Sequence, residues 1–427
     1  MGIVFWGSLL LLVNLALIVL VHLYLVGSFR KLEDYDLTGL PASAPSFPET
    51  IASMSDSLVT EGAIARFWSD IDTIQLMRLK LMSQARQLIQ FETFIMTPGE
   101  RTEAFAVLLK QKAAEGVTVQ VLVDSYGAHT LPKTYWQELE NAGVQVCFFN
   151  PFTIRDPVGY LRRNHRKLLI VDQQVAMIGG AGMADRWDGK DDHPGRIPWY
   201  DFEIELRGAA VGLLTGFFWQ HWLSSGGHVD LREHHPEDAD VTNPGPILIT
   251  PGEDPSTGDS PIRSLLHLCI TAAQTRLWIA SPYLLPDRAT RKALAAMRQR
   301  GVDVRILTMG PKSDKFYVYC TSRERYEPLL QQGIKIHEYQ PSMMHGKILL
   351  VDDQWVSLGS ANLDPRSFFH NDELNVCVSD RGLTQQVEDF FLQGFSNSEL
   401  VQFQSWQRRP IKERLIGHLA NLVYWQL

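Results

Sequence analysis

The sequence predicts an α/β protein: two duplicated α/β/α halves with central mixed sheets, related by a pseudo-two-fold axis, behind an N-terminal transmembrane helix. Three observations carry that expectation. Short β-branched strands alternate with helical segments, the pattern of a layered α/β core. The same succession of segments recurs about 180 to 190 residues downstream, the mark of a duplication. The chain also opens with a long apolar run free of formal charge.

That run is IVFWGSLLLLVNLALIVLVHLYLV (3–26). As a helix it would extend about 36 Å, enough for a hydrocarbon layer of about 30 Å. A cleavable leader would have a basic start and a shorter apolar stretch. Trp6 stands where a myristoylation signal needs Ser or Thr. Arg30 and Lys31 follow the span, so the positive-inside bias places the body in the cytoplasm.

LPASAPSFPET (40–50) reads as a tether, and residues 63–87 have helical periodicity. LIQFETFIM (88–96), VTVQVLVD (117–124) and VQVCFFN (144–150) read as strands, with a helix over 103–115 ending at Gly116. Their counterparts are RLWIASPYLLP (276–286), RGVDVRILTMG (300–310) and QGIKIHEYQ (332–340). Glu92 and Tyr283 appear as matching positions at the strand ends, either lining a cleft or hydrogen-bonded within the fold. An acidic, Pro- and Gly-rich stretch joins the copies, and its His228, His234 and His235 read as exposed rather than metal-bound. Trp219, His221 and Trp222 fall on an apolar helix and read as core. Residues 383–395 form an amphipathic helix. The last segment (411–427) places Leu415, Ile416, Leu419, Leu422 and Val423 on one face, either at a membrane interface or against the protein's own core. The expected division is 1–28 anchor, 29–56 linker, 57–235 first half, 236–261 linker, 262–400 second half and 401–427 C-terminal segment.

With 40 Lys and Arg against 48 Asp and Glu, the net charge of −8 disfavours a nucleic-acid binder. The four scattered cysteines suggest neither a disulfide framework nor a thiolate zinc site.

The chemistry lies in a doubled motif. His165, Lys167 and Asp172 stand as H-x-K-x4-D, and His345, Lys347 and Asp352 repeat the spacing. On a strand, His and Lys two residues apart share a face. Two ammonium groups can neutralise a phosphodiester without a metal, and Ser360 and Asn362, after a glycine turn, add neutral donors. One neutral imidazole can attack phosphorus while a protonated one donates to the leaving alkoxide. Each imidazole needs an orienting carboxylate. Asp201 in the first copy and Glu373 in the second stand at the start of the next strand.

This doubled motif resembles the phospholipase D superfamily. The anchor, the FETFI strand (91–95), GSANLDPRS (359–367) and the C-terminal helix are similar to bacterial cardiolipin synthases, over about residues 57–400. The resemblance implies duplicated phospholipase D-like halves at the bacterial inner membrane, single-pass. It further implies a phosphatidyl-histidine intermediate formed on one phospholipid and captured by the hydroxyl of another. Typically two phosphatidylglycerol molecules give cardiolipin and glycerol; hydrolysis to phosphatidic acid is the alternative outcome. By this likeness His165 is the nucleophile and His345 the general acid and later base. Lys167, Lys347 and Asn362 hold the phosphate, and Ser360 assists. Asp172 and Asp352 complete the catalytic motifs, with strand bracing their expected task. The partners are phospholipid and bilayer, not nucleic acid, and neither cofactor nor metal is expected. One departure stands out: Gly179-Gly180-Ala181-Gly182 has Gly where the family pattern has Asn, so one phosphate donor is absent or comes from elsewhere.

Overall fold

A computed structural model describes residues 2–28, 37–156, 159–189, 197–232, 244–253 and 260–427. Among them, sixteen strands join in a single mixed sheet. The first eight are β1 (Leu58–Trp68), β2 (Leu88–Thr93), β3 (Thr118–Asp124), β4 (Gln145–Phe149), β5 (Arg163–Asn164), β6 (Leu168–Val171), β7 (Val175–Gly179) and β8 (Glu203–Arg207). The others are β9 (Gly245–Gly252), β10 (Arg276–Ala280), β11 (Asp303–Met309), β12 (Lys335–Tyr339), β13 (Ile348–Val351), β14 (Trp355–Gly359), β15 (Asn371–Val378) and β16 (Ser398–Leu400).

The pairing pattern occurs twice. In one half β2, β3 and β4 run parallel, and β2, β6, β7 and β8 follow antiparallel. In the other, β10, β11 and β12 run parallel, and β10, β13, β14 and β15 follow antiparallel. Parallel neighbours need crossovers, and the helices Glu100–Ala114 and Arg288–Gln299 supply them. Each ends at a glycine in the left-handed region, Gly116 (φ 88°) and Gly301 (φ 91°), a backbone turn that L side chains resist.

The expectation of separate central sheets is corrected. β1 pairs with β8 on one side and β9 on the other, and β9 pairs with β15, so the halves share a continuous sheet. Hence the segment taken as a connection over 236–261 contains a central strand. Ile247, Leu248 and Ile249 are fully buried there; the rest of that stretch lies largely outside the described residues. The helical reading of 63–87 is also revised. The chain is a strand to Trp68, and the helix Ile71–Ser83 starts where Asp70 accepts the Thr73 N–H at 2.7 Å. Most of the halves' shared apolar core lies around Tyr200, Phe202, Phe390 and Leu358, with Tyr200 stacked on Phe390 at 4.3 Å.

The proline-rich stretch expected as a tether instead leads into a helix, Phe47–Met54, that docks on the second half. Pro48 stands in its first turn, where a missing N–H costs nothing. At the other end, the helix Ile411–Asn421 packs on Phe316–Glu324 through Glu413, Ile416 and Gly417. Its Ile411, Leu415, Leu419 and Leu422 remain exposed, so Ile416 departs from the predicted common face. The N-terminal helix Gly2–Ser28 carries no acidic or basic residue in its terminal turns, and its side chains from Phe5 to Val21 are exposed. The described residues by themselves contain no helix long and apolar enough to cross a membrane.

Phe47 is 1 % exposed and meets Trp355 edge-on at 4.9 Å. Phe47→Ala is expected to destabilise the fold by about 3–5 kcal/mol. Denaturant unfolding in detergent reads this; an unchanged midpoint would mean the segment is indeed a tether.

Candidate active site

Both histidines sit where the sheet of one half meets a loop of the other. β5 pairs parallel with β15, and the His165 N–H donates to the Asp372 carbonyl at 2.9 Å. The His345 N–H donates to the Tyr200 carbonyl at 2.7 Å, beside a bridge between Tyr200 and Met344. In each case the residue after the accepting carbonyl is the carboxylate. His165 Nδ1 therefore meets Glu373 at 2.9 Å, and His345 Nδ1 meets Asp201 at 2.7 Å. The expected pairing within each copy is overturned: the carboxylates are exchanged between halves.

Glu373 is fully buried and takes four donors. Oε2 accepts from His165 and from the Ser360 hydroxyl at 2.5 Å; Oε1 accepts from Ser367 at 2.7 Å and the Asn371 amide at 3.3 Å. Asp201 accepts from the Trp187 indole at 3.0 Å and its neighbour's Phe202 N–H at 2.9 Å. Burial works against both charges, but the imidazole and lysine facing each hold the carboxyls below their ordinary range. Burial dominates at the imidazoles, taking His165 to about 3 and His345 to about 4 despite the carboxylates. Burial lowers Lys167 to about 7, with Lys347 adding to the shift, and lowers Lys347 to about 8. Each lysine Nζ donates to the carbonyl of its own motif's histidine. At neutral pH both imidazoles are thus neutral. Each is fixed as the Nδ1–H tautomer by its carboxylate, which leaves the lone pair on Nε2.

A cavity of about 360 Å³ brings His165, Lys167, His345 and Asn362 onto one surface. Arg163, Arg186, Lys315 and Arg366 line it as well, against Asp314 and Asp364, so an acidic protein presents a cationic cleft. Phe94 sits edge-on to His165 at 5.4 Å, and Trp187 and Trp199 approach His345 at 5.5 Å each. These apolar walls explain the depressed imidazoles.

Other expected residues are placed differently. Ser360 lies behind the site: its hydroxyl is committed to Glu373 and the Leu374 N–H, which corrects its assignment to the phosphate. Lys347 is buried and is not among the cavity-lining residues. Asp172 and Asp352 leave the catalytic set. Asp172 accepts the N–H groups of Arg86, Gln87 and Leu88, and Asp352 those of Gln274, Thr275 and Arg276, at the entry to β2 and β10. Gly182 has a steric reason. A Cβ there would lie 2.8 Å from the Ile95 carbonyl and 2.9 Å from the Trp187 ring, so the indole fills the space an Asn would need.

The register makes Ala280 the counterpart of Glu92, since Ile89 faces Val171 as Leu277 faces Val351. Tyr283 lines the cavity and donates to Asp314, whereas Glu92 is buried behind it. Trp222 is core as expected. His221 is more: its Nδ1 lies 2.6 Å from Glu92 and its Nε2 3.1 Å from Asp372. Burial and Arg166 oppose its protonation, but the two acids outweigh them and raise its pKa. Asn164 bonds Glu92 at 2.8 Å, so this cluster braces β5 and hence His165. Trp187, Trp199, Arg366 and the His221 cluster carried no periodicity that marked them. The one readable signal was an acid preceding or following each partner strand's start.

The chain matches the family model described as "Cardiolipin synthase, PLD-like domain" over residues 79–187 and 266–394. It is 33% identical over 348 residues to the cardiolipin synthase of Geobacillus sp. (strain WCH70), covering 80% of this chain and 68% of that protein. It is 31% identical to cardiolipin synthase 1 of Bacillus cereus over 357 residues, 81% of this chain and 69% of the relative. The phosphatidylserine synthase of Haemophilus influenzae has a similar fold, with TM-score 0.67 at 15% identity, covering 89% of this chain and all of that one.

The protonation states are open to direct reading. In the ligand-free protein, both imidazoles are expected to stay neutral down to pH 5, because burial lowers their pKa well below that of a solvated histidine. The two ammonium groups are expected to lose protons between about pH 7 and 8. Nitrogen chemical shifts of selectively labelled His and Lys test both; an imidazolium signal from either residue at pH 6 would contradict the arrangement.

Proposed function

The chain belongs to the cardiolipin synthase, PLD-like domain family, and from that membership we propose that it is a phosphatidyltransferase joining two phosphatidylglycerol molecules into cardiolipin and glycerol. One observation carries the mechanism: two imidazoles share a single cationic cavity, each tied through Nδ1 to a carboxylate of the opposite half.

His165 Nε2 attacks phosphorus, forming a P–N bond as the P–O bond to the leaving glycerol breaks. His345 gives that alkoxide its proton. The proton is taken up with the substrate, since a phosphodiester anion between the rings favours the charged imidazole over the neutral one. His345, neutral again, then removes the proton of the acceptor's hydroxyl, which attacks phosphorus and releases His165. Lys167 and Asn362 stabilise the charge on the non-bridging oxygens from the cavity wall, and Lys347, buried behind it, adds positive charge at longer range. The carboxylates keep Nδ1 protonated throughout, so nitrogen chemistry is confined to Nε2.

The body reads as two duplicated halves, 57–235 and 262–400, with the repeated strand pairing in support. A single-pass anchor at residues 1–28 fits a lipid substrate, with the body on the cytoplasmic face of a bacterial cell membrane. The helix Gly2–Ser28 comes against Tyr424–Gln426, and Gln426 lines the cavity. Exposed Phe152 and Ile154 near the cavity-lining Tyr160, and the outward Leu415 and Leu419, supply apolar surface for the same bilayer.

Given phosphatidylglycerol alone in mixed micelles, the purified protein is expected to release cardiolipin and glycerol in equal amounts. Phosphatidic acid as the sole lipid product would replace this reading with hydrolysis. With phosphatidyl-p-nitrophenol, whose leaving group needs no proton, His345→Ala is expected to give a burst of p-nitrophenolate and a phosphatidyl adduct on the peptide holding His165. An adduct on another residue would reverse the roles. Leu415→Glu combined with Leu419→Glu is expected to weaken binding to phosphatidylglycerol vesicles at least several-fold in a protein lacking residues 1–36; unaltered binding would remove that helix from the membrane face.

A further inference from the structure

A transfer between two phospholipids brings two phosphodiesters into the cleft. The His–Lys centre accounts for one of them. The other belongs to the acceptor, and it must lie one glycerol away from the reacting phosphorus.

Arg366 stands on the short helix Pro365–Phe369 and lines the cavity. Its guanidinium meets three acceptors: the carbonyls of Leu161 (2.7 Å) and Gln426 (3.4 Å), and the Asn371 side-chain oxygen (3.3 Å). All three are neutral. Among the described residues no carboxylate lies within ion-pair distance of it. The neighbouring arginines differ: Arg162 holds Asp372 through two bonds, and Arg163 holds Asp124. Asp364, two residues away, spends one oxygen on the Ser367 N–H, and burial raises its pKa to about 7. A guanidinium cannot shed its charge, and even partly burying it with no counterion in contact is costly. A structure that tolerates this in a cleft wall is shaped for an anion from outside.

The position suits a second phosphate. Asn371 accepts from Arg366 and donates to Glu373, which holds His165. Arg366 is therefore one amide and one carboxylate removed from the reacting imidazole. Resting on the phosphatidyltransferase reading above, we propose that Arg366, flanked by Arg163, forms an acceptor subsite that binds the phosphodiester of the second phospholipid. A planar guanidinium can hold two phosphate oxygens at once. Water and neutral alcohols have no anion to place there, so the subsite favours a phospholipid hydroxyl over them.

The test lets two acceptors compete. The full-length protein is given phosphatidylglycerol with ethanol, and the ratio of cardiolipin to phosphatidylethanol is measured. For Arg366→Gln the ratio is expected to fall at least tenfold, and for Arg366→Lys, which keeps the charge but not the fork, to fall by less. The ratio does not depend on how much of a variant is folded. Equal loss of both products, with the ratio unchanged in both variants, would overturn the subsite and leave the transferase reading standing. A native protein that makes phosphatidylethanol but no cardiolipin would overturn both.

Discussion

Everything at the centre of this molecule depends on an exchange of hydrogen bonds between halves. Each motif histidine is anchored by its backbone N–H to a carbonyl of the other half, and by Nδ1 to the acid that follows that carbonyl in the chain. The backbone bond sets the ring's height, and the carboxylate sets its tautomer and rotation. Neither half can complete its own imidazole. The continuous sheet across β8, β1, β9 and β15 is what holds the two exchange points in register.

Burial gives this exchange its chemical consequence. In a cavity walled by Phe94, Trp187 and Trp199, desolvation outweighs the carboxylates, and the imidazoles rest neutral. The same desolvation, joined at Lys167 by repulsion from Lys347, brings the lysines near their ionisation point. An anion entering the cleft reverses these tendencies at once, since it stabilises the lysine charges and the proton on one imidazole. The site is thus completed electrostatically by its substrate. Arg366, partly buried among neutral oxygens, extends that logic to a second anion.

The halves share a framework but not their details. Glu373 receives two hydroxyls and an amide besides its histidine, whereas Asp201 receives an indole and one backbone N–H. Two glycines accompany this difference: Gly180, against Asp201, stands where the second motif has Ser360 and supplies no hydroxyl, and Gly182 leaves room for the Trp187 ring. A polar phosphate donor has been exchanged for an aromatic wall beside His345. On the other side, the Glu92–His221–Asp372 cluster stiffens the strand that carries His165.

The sequence by itself determined what is local and repeated: the doubled H-x-K motif, the α/β alternation, the cleft's principal residues and the family to which they point. Short-range spacing fixes which side chains share a strand face, and a duplication announces itself as repeated spacing. It misplaced what depends on partners distant in the chain. β9 lay hidden in a Pro- and Gly-rich stretch because three buried aliphatics leave little trace there, and Phe47 looked like part of a tether until a core received it. Which acid serves which histidine, why Gly182 is tolerated and that Ser360 faces Glu373 were decided only by the tertiary structure. The acid–histidine pairings join residues 208 and 144 apart in the chain, and the other two turn on how side chains pack around neighbouring turns and strands; no local spacing encodes the far side of such a contact.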